Sequence, residues 1–123
     1  DYNMGDFRNL IVYQKAFHNA MLIVELSKGF PPIEKYALTT QIRNSSRSVC
    51  SNIAEGYRKR RYPNHFISKF TDADSENSET IVWLDFALAC EYISNAEHDD
   101  LIERVQEVGR LLNHATNNPG SYS

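Results

Sequence analysis

The residues of this chain best suited to chemistry are arginines that recur on one side of a single helical stretch, and the chemistry they suit is the binding of anions. Over residues 41–61, QIRNSSRSVCSNIAEGYRKRR, a rotation of about 100° per residue places Arg43, Arg47, Arg58 and Arg61 on one face, with Cys50 and Ala54 between them. A face of that kind draws a partner that carries negative charge. Arg58, Lys59, Arg60 and Arg61 are the densest cluster, at the expected helix end, where the same charges also complement the helix dipole and keep the end solvated. If phosphates are what they meet, affinity falls steeply with salt and shows little sequence preference.

Catalytic arrangements are harder to assemble from these residues. Helical bundles hold di-metal centres through inward Glu residues and Glu-x-x-His pairs, and the sequence has no such pair. His18, His65, His98 and His114 fall on different expected elements without ligand spacing. Asp72, Glu76 and Glu79 share a face of the third expected helix, and carboxylates at that spacing can bind a divalent ion. A solvated acidic face, or a counterpart for the arginines across a subunit boundary, is the preferred reading. No nucleophile with an adjacent base and no Gly-rich phosphate loop occurs, so neither an enzyme nor a cofactor or metal is expected.

The elements that must position these side chains follow from periodicity and punctuation. In the arginine-bearing helix, Leu38, Ile42, Val49 and Ile53 form an apolar stripe. Beside it Gln41, Ser45, Ser48, Asn52 and Glu55, at alternating steps of four and three, form a polar seam suited to close approach and to fixing register, and Gly56 points to a close helix approach or a kink. A buried Glu55 would need Arg43 or Gln41 as a partner. The prolines lie at Pro31, Pro32, Pro63 and Pro119, and the stretches between them are helical in length. The expectation is an all-α, up-down four-helix bundle in a single domain over residues 1–123, with helices at about 7–28, 33–60, 64–93 and 96–115 and frayed ends. The first helix would bury Leu10, Phe17, Met21 and Val24. The third, with Phe66, Phe70, Ala73, Asn77, Thr80, Leu84, Ala87 and Glu91 in a regular heptad, would be central, with Ile67, Ile81, Trp83 and Leu88 widening its apolar surface. The fourth would start at an Asn95 cap and bury Leu101, Val105, Val108 and Leu112.

A chain of 123 residues is enough for one core, and no run approaches the length needed to span a bilayer, so a cytoplasmic protein with no membrane contact is expected. Cys50 and Cys90 stand apart from any CxxC or Cys/His cluster and read as reduced structural thiols. The net charge of −3 conceals two halves of opposite sign: residues 7–61 sum to +7 and residues 62–123 to −8, with Asp1 and Asp6 completing the total. Either the basic half faces nucleic acid, or basic and acidic helices attract each other within or between subunits.

Several segments together carry a resemblance: DFRNLIVYQKA, FPPIEKYALTTQIRNSS, SVCSNIAEG, HFISKF and ADSENSETIVWL. Over nearly its whole length the chain resembles the bacterial four-helix bundle proteins of the ribosomal RNA intervening-sequence or "S23 ribosomal protein" type, which are related to retroelement accessory variability proteins. Tyr13 stands where that family usually has Trp, Ala37 where Gly is common, and Ser75-Glu76 where Gly-Ser is common. The resemblance implies an oligomeric scaffold, a homopentamer, rather than an enzyme. It also implies basic surfaces that bind RNA or DNA, and a protein partner such as a reverse transcriptase. On this reading Arg43, Arg47, Arg58, Lys59, Arg60 and Arg61 are the nucleic-acid candidates. Gln41, Ser45, Ser48, Asn52, Glu55, Gly56, Glu79 and Trp83 are the interface or structural candidates. The alternative is a protein-binding adaptor or a purely structural oligomer.

Overall fold

Proline breaks, a serine cap and one left-handed residue divide the chain into its helices. The computed structural model of the protein describes residues 6–122. Helix α1 spans Ile11–Ser27, α2 Leu38–Arg58, α3 Pro63–Ala89 and α4 Asn95–Asn117, with 3-10 turns at Phe7–Asn9, Pro32–Glu34 and Pro119–Tyr122. The four helices pack antiparallel as an all-α bundle, and α2 against α3 is the broadest contact.

The helix ends differ from the sequence expectation for local reasons. Leu10 is extended (φ −72°, ψ 131°), which separates a 3-10 turn capped by Asp6 from α1. The expected second helix is interrupted between Glu34 and Leu38, because the Glu34 carboxylate accepts the Leu38 amide at 3.2 Å and starts a new first turn there. At the start of α4 the cap is Ser94 rather than Asn95. Its hydroxyl accepts the Glu97 amide at 3.0 Å, and the Glu97 carboxylate accepts the Ser94 amide at 2.8 Å, a reciprocal capping box. The expected fraying at NNPGSYS is also corrected over its described residues, since Tyr122 returns to pack its ring 5.3 Å from Phe66. Residues 1–5 and 123 lie outside the described residues.

Helix α3 stops four residues short of the expected position because Glu91 takes a left-handed conformation, φ 63°. The Tyr92 amide then donates to Ala87 O and the Glu91 amide to Leu88 O, both at 2.9 Å, completing a Schellman cap. Glycine is the residue that adopts this conformation without steric penalty. Glu91→Gly is therefore expected to raise stability by about 1 kcal/mol, read as a higher denaturant midpoint with unchanged slope.

The core is apolar at both ends of the bundle and polar in the middle. One cluster gathers Val12, Val49, Ile53, Phe66, Phe70 and Leu112, and the other Ile23, Leu38, Ile42, Leu84, Leu101 and Val105. Between them lie the buried polar residues Asn19, Ser45, Ser46, Asn77 and Thr80. Asn19 and Asn77 donate to Arg104 O (3.1 Å) and Val105 O (2.8 Å) of α4, and Ser45 and Thr80 hydroxyls meet at 2.8 Å between α2 and α3. Such bonds are satisfied in one register of the helices only, so the layer selects that register at the expense of apolar burial.

Helix α1 departs most from expectation. Its buried residues are Val12, Ala16, Asn19, Ala20, Ile23 and Ser27, while Phe17 and Met21 are half exposed and Leu10 and Val24 only partly buried. The inward face is turned by roughly a third of a revolution from the expected one. α1 carries apolar residues on two faces, and the one with the smaller side chains fits the crowded bundle interior.

Candidate nucleic-acid interface

The α2–α3 corner is a cationic turn built on an aromatic block. Lys59, Arg60 and Tyr62 amides donate to Gly56 O, Tyr57 O and Lys59 O at 3.0, 3.2 and 2.8 Å, so the turn is held by its own backbone. Beneath it Phe66 and Phe70 pack with ring centroids 4.3 Å apart, and Tyr122 covers both. Gly56 permits this packing: a Cβ there would stand 2.6 Å from Phe70 Cδ1. Outside the block Arg58, Lys59 and Arg61 are exposed, and among the described residues none of them has an acidic partner. Arg60 instead folds back, with its guanidinium 4.3 Å from the Tyr57 ring centroid and a 3.0 Å bond to Tyr57 O. Glu55 is drawn off by Lys69 at 3.1 Å, which leaves the net charge of the corner positive.

The other sequence-level candidates separate in space. Arg43 does not join the cationic surface. Its Nε donates to Ser27 Oγ at 2.8 Å, tying α2 to the last turn of α1. Arg47 is exposed and on the angular face of Arg58, but it lies three turns earlier, about 16 Å along the helix. In the polar seam, Ser45 and Gly56 face α3 and are buried, Gln41 is exposed, and Asn52 donates to Ser48 O of its own helix at 2.9 Å. Glu55 is not buried and its partner is neither Arg43 nor Gln41: its side chain is 55% exposed and pairs with Lys69. Trp83 is partly buried against Phe86, and its Nε1 is buried without a hydrogen-bond partner.

Residues 8–114 match the family described as 23S rRNA-intervening sequence protein. The chain belongs to that family. A solved structure from Bacteroides thetaiotaomicron, of a protein with unknown function from the S23 ribosomal protein family, is similar at a TM-score of 0.79 and 28% identity, covering 87% of this chain and 96% of that one. No curated protein matches the chain.

In this intervening-sequence family member, two further surfaces stand apart from the cationic corner. The first is the acidic strip of α3, where Asp72, Glu76 and Glu79 have no cationic partner among the described residues. Partial burial, then the neighbouring Glu79 and Asp72 charges, raise the Glu76 carboxyl above the usual range. The folded state therefore favours its protonated form, and the strain on folding grows as pH rises through that range. The second surface went unseen in the sequence. The outward apolar face of α1 forms, with α2, a groove of about 360 Å³ lined by Phe7, Tyr13, Phe17, Met21, Val24 and Cys50, with Arg47 at its edge. Its sequence signal was the very stripe assigned to the interior. A separate apolar hollow of about 400 Å³ lies between α2 and α3, lined by Tyr36, Leu38, Trp83 and Phe86.

The remaining titratable residues do not converge. His98 bonds Asp85 at 2.8 Å across α4 and α3, while His18, His65 and His114 are exposed on separate elements. Among the described residues no group of three or more His, Cys, Asp or Glu is placed to hold a metal ion. Cys50 and Cys90 are free thiols, and burial pushes the Cys50 thiol up to about 11, which keeps it protonated and inert at neutral pH. Among the described residues, no helix is long and apolar enough to cross a membrane.

Proposed function

We propose that this chain is a non-catalytic scaffold that assembles with copies of itself and binds RNA or DNA through the α2–α3 corner. The observation that carries the binding half is the exposed trio Arg58, Lys59 and Arg61, which lacks any acidic counterpart among the described residues. Uncompensated, closely spaced cations on an ordered turn are suited to a chain of phosphates, a capacity beyond the favourable placement of Arg58 in the last turn of α2.

The assembly half rests on the groove between α1 and α2 and the hollow between α2 and α3. Their linings share no residue and flank α2 on opposite sides. Phe17 and Met21 in the first, and Tyr36 and Phe86 in the second, are about half exposed or more. Apolar surface of this extent is suited to burial against another protein. Two different patches used together give a head-to-tail contact, which forms a ring where the rotation between copies closes; a ring of five copies is what the family resemblance implies. The same surfaces would also serve a protein partner such as a reverse transcriptase.

The test of the binding half is a titration of a short labelled RNA at several salt concentrations. Three phosphate contacts predict a slope of log affinity against log salt of about −2 for a single strand. Affinity that does not change with salt contradicts the reading. A second reading, in which the arginine face pairs with the Asp72, Glu76 and Glu79 strip of a neighbouring copy, is favoured by the fact that neither surface has a counterion among the described residues. It predicts that Arg58→Glu with Arg61→Glu dissociates the proposed assembly, whereas the nucleic-acid reading predicts that the proposed assembly stays intact.

A further inference from the structure

We infer that the α2–α3 corner selects unpaired over duplex nucleic acid, with the Tyr62 ring as a stacking platform for one exposed base. The inference rests on the proposed nucleic-acid reading and adds the class of strand. Tyr62 follows Arg61 directly, and the residue is left 60% exposed at the edge of the cationic turn. Its backbone is fixed at both ends, with the amide donating to Lys59 O at 2.8 Å and the carbonyl accepting the Phe66 amide at 3.0 Å. The His65 ring meets it edge to face at 6.1 Å and 88°. The ring is thus presented in a set place, as a stacking surface must be if binding is not to lose its gain to ordering.

Among the exposed aromatic residues described, Tyr62 alone adjoins the cationic cluster in the chain: Phe17, Tyr36 and Phe86 lie on the groove, the 31–37 loop and α3. Tyr57, the other tyrosine of the turn, already has its ring faced by Arg60. Arg58, Lys59 and Arg61 would neutralise successive phosphates while Tyr62 takes the face of the intervening base. A duplex keeps its base faces inside the stack and offers the ring nothing, so only an unpaired strand uses both features.

The experiment compares wild-type, Tyr62→Ala, Tyr62→Phe and Arg58→Glu/Arg61→Glu proteins by fluorescence anisotropy. The probes are an unstructured RNA oligomer, the matching single-stranded DNA and a duplex of equal length, at one low salt concentration. Tyr62→Ala is expected to weaken both single-stranded probes about tenfold and leave the duplex unchanged, and Tyr62→Phe to bind as wild type. Equal losses on RNA and DNA are expected because the ring meets the base and not the 2′-hydroxyl. Unaltered single-strand binding by Tyr62→Ala, or an equal loss on the duplex, overturns the inference. If the double Glu variant loses binding while Tyr62→Ala does not, the strand preference alone fails. If the wild-type protein binds none of the probes, the underlying function fails with it.

Discussion

Arg58→Glu combined with Arg61→Glu abolishes binding to RNA and DNA while leaving the bundle folded. Each substitution replaces an attraction to phosphate by a repulsion, so the pair changes the corner by four charges where it has only Lys59 and the folded-back Arg60 left. Affinity at low salt is expected to fall roughly a hundredfold or more, to the floor of most assays. Milder Arg→Ala changes should reduce the salt slope by about 0.7 for each lost contact with a single strand. Stability should fall by no more than about 1 kcal/mol, the effect of a negative charge in the last turn of α2, since neither side chain is buried and neither has an acidic partner among the described residues. Parallel circular dichroism and anisotropy measurements check both halves. Wild-type affinity in a folded double variant contradicts the assignment of the corner.

Gly56→Ala is expected to destabilise the protein although alanine is the better helix former. The helical preference favours alanine by about 1 kcal/mol. Against it, the new Cβ would lie 2.6 and 2.8 Å from Phe70 Cδ1 and Cε1 and 3.1 Å from Lys69 Cβ. Phe70 is fully buried against Phe66, with Tyr122 over both, so the ring has no room to retreat. Overpacking of this kind costs about 1–3 kcal/mol, and a net loss of that order is expected in denaturant titration. Phe70→Leu, which shortens the opposing side chain, should shrink the penalty at position 56, the coupling expected of residues in contact. If Gly56→Ala stabilises the protein, α2 and α3 are further apart at this end than described. Because the same contact sets the α2–α3 corner, the destabilised variant should also bind nucleic acid less well.

The parts of the fold legible in the sequence were those where one face of a helix is apolar and its edges are polar. In α3 the alternating steps of four and three from Phe66 to Ala87 are buried as expected, and in α4 so are Leu101, Val105, Val108 and Leu112. The heptad failed only at Glu91, where a left-handed residue ended the helix; a glutamate gives no sign of that conformation. α1 was misread because it has two apolar faces, and periodicity does not choose between large side chains that face a groove and small ones that face the core.

The site was legible in charge but not in neighbours. Helical spacing placed Arg43 beside Arg47, yet only the fold brings the end of α1 close enough for Ser27 to engage it. Glu55 was placed in the polar seam, where burial would require Arg43 or Gln41 as a partner, while its length carries the carboxylate out to Lys69. Tyr62 belongs to a turn, where no period exists to mark a side chain as exposed.

Light-scattering mass, measured on the protein alone and with short single-stranded RNA at low and at moderate salt, tests the scaffold reading most directly. The account predicts a mass several times that of one chain, five-fold on the family resemblance, which increases further with RNA at low salt and loses that increase at moderate salt. A single-chain mass that is indifferent to RNA at both concentrations contradicts it.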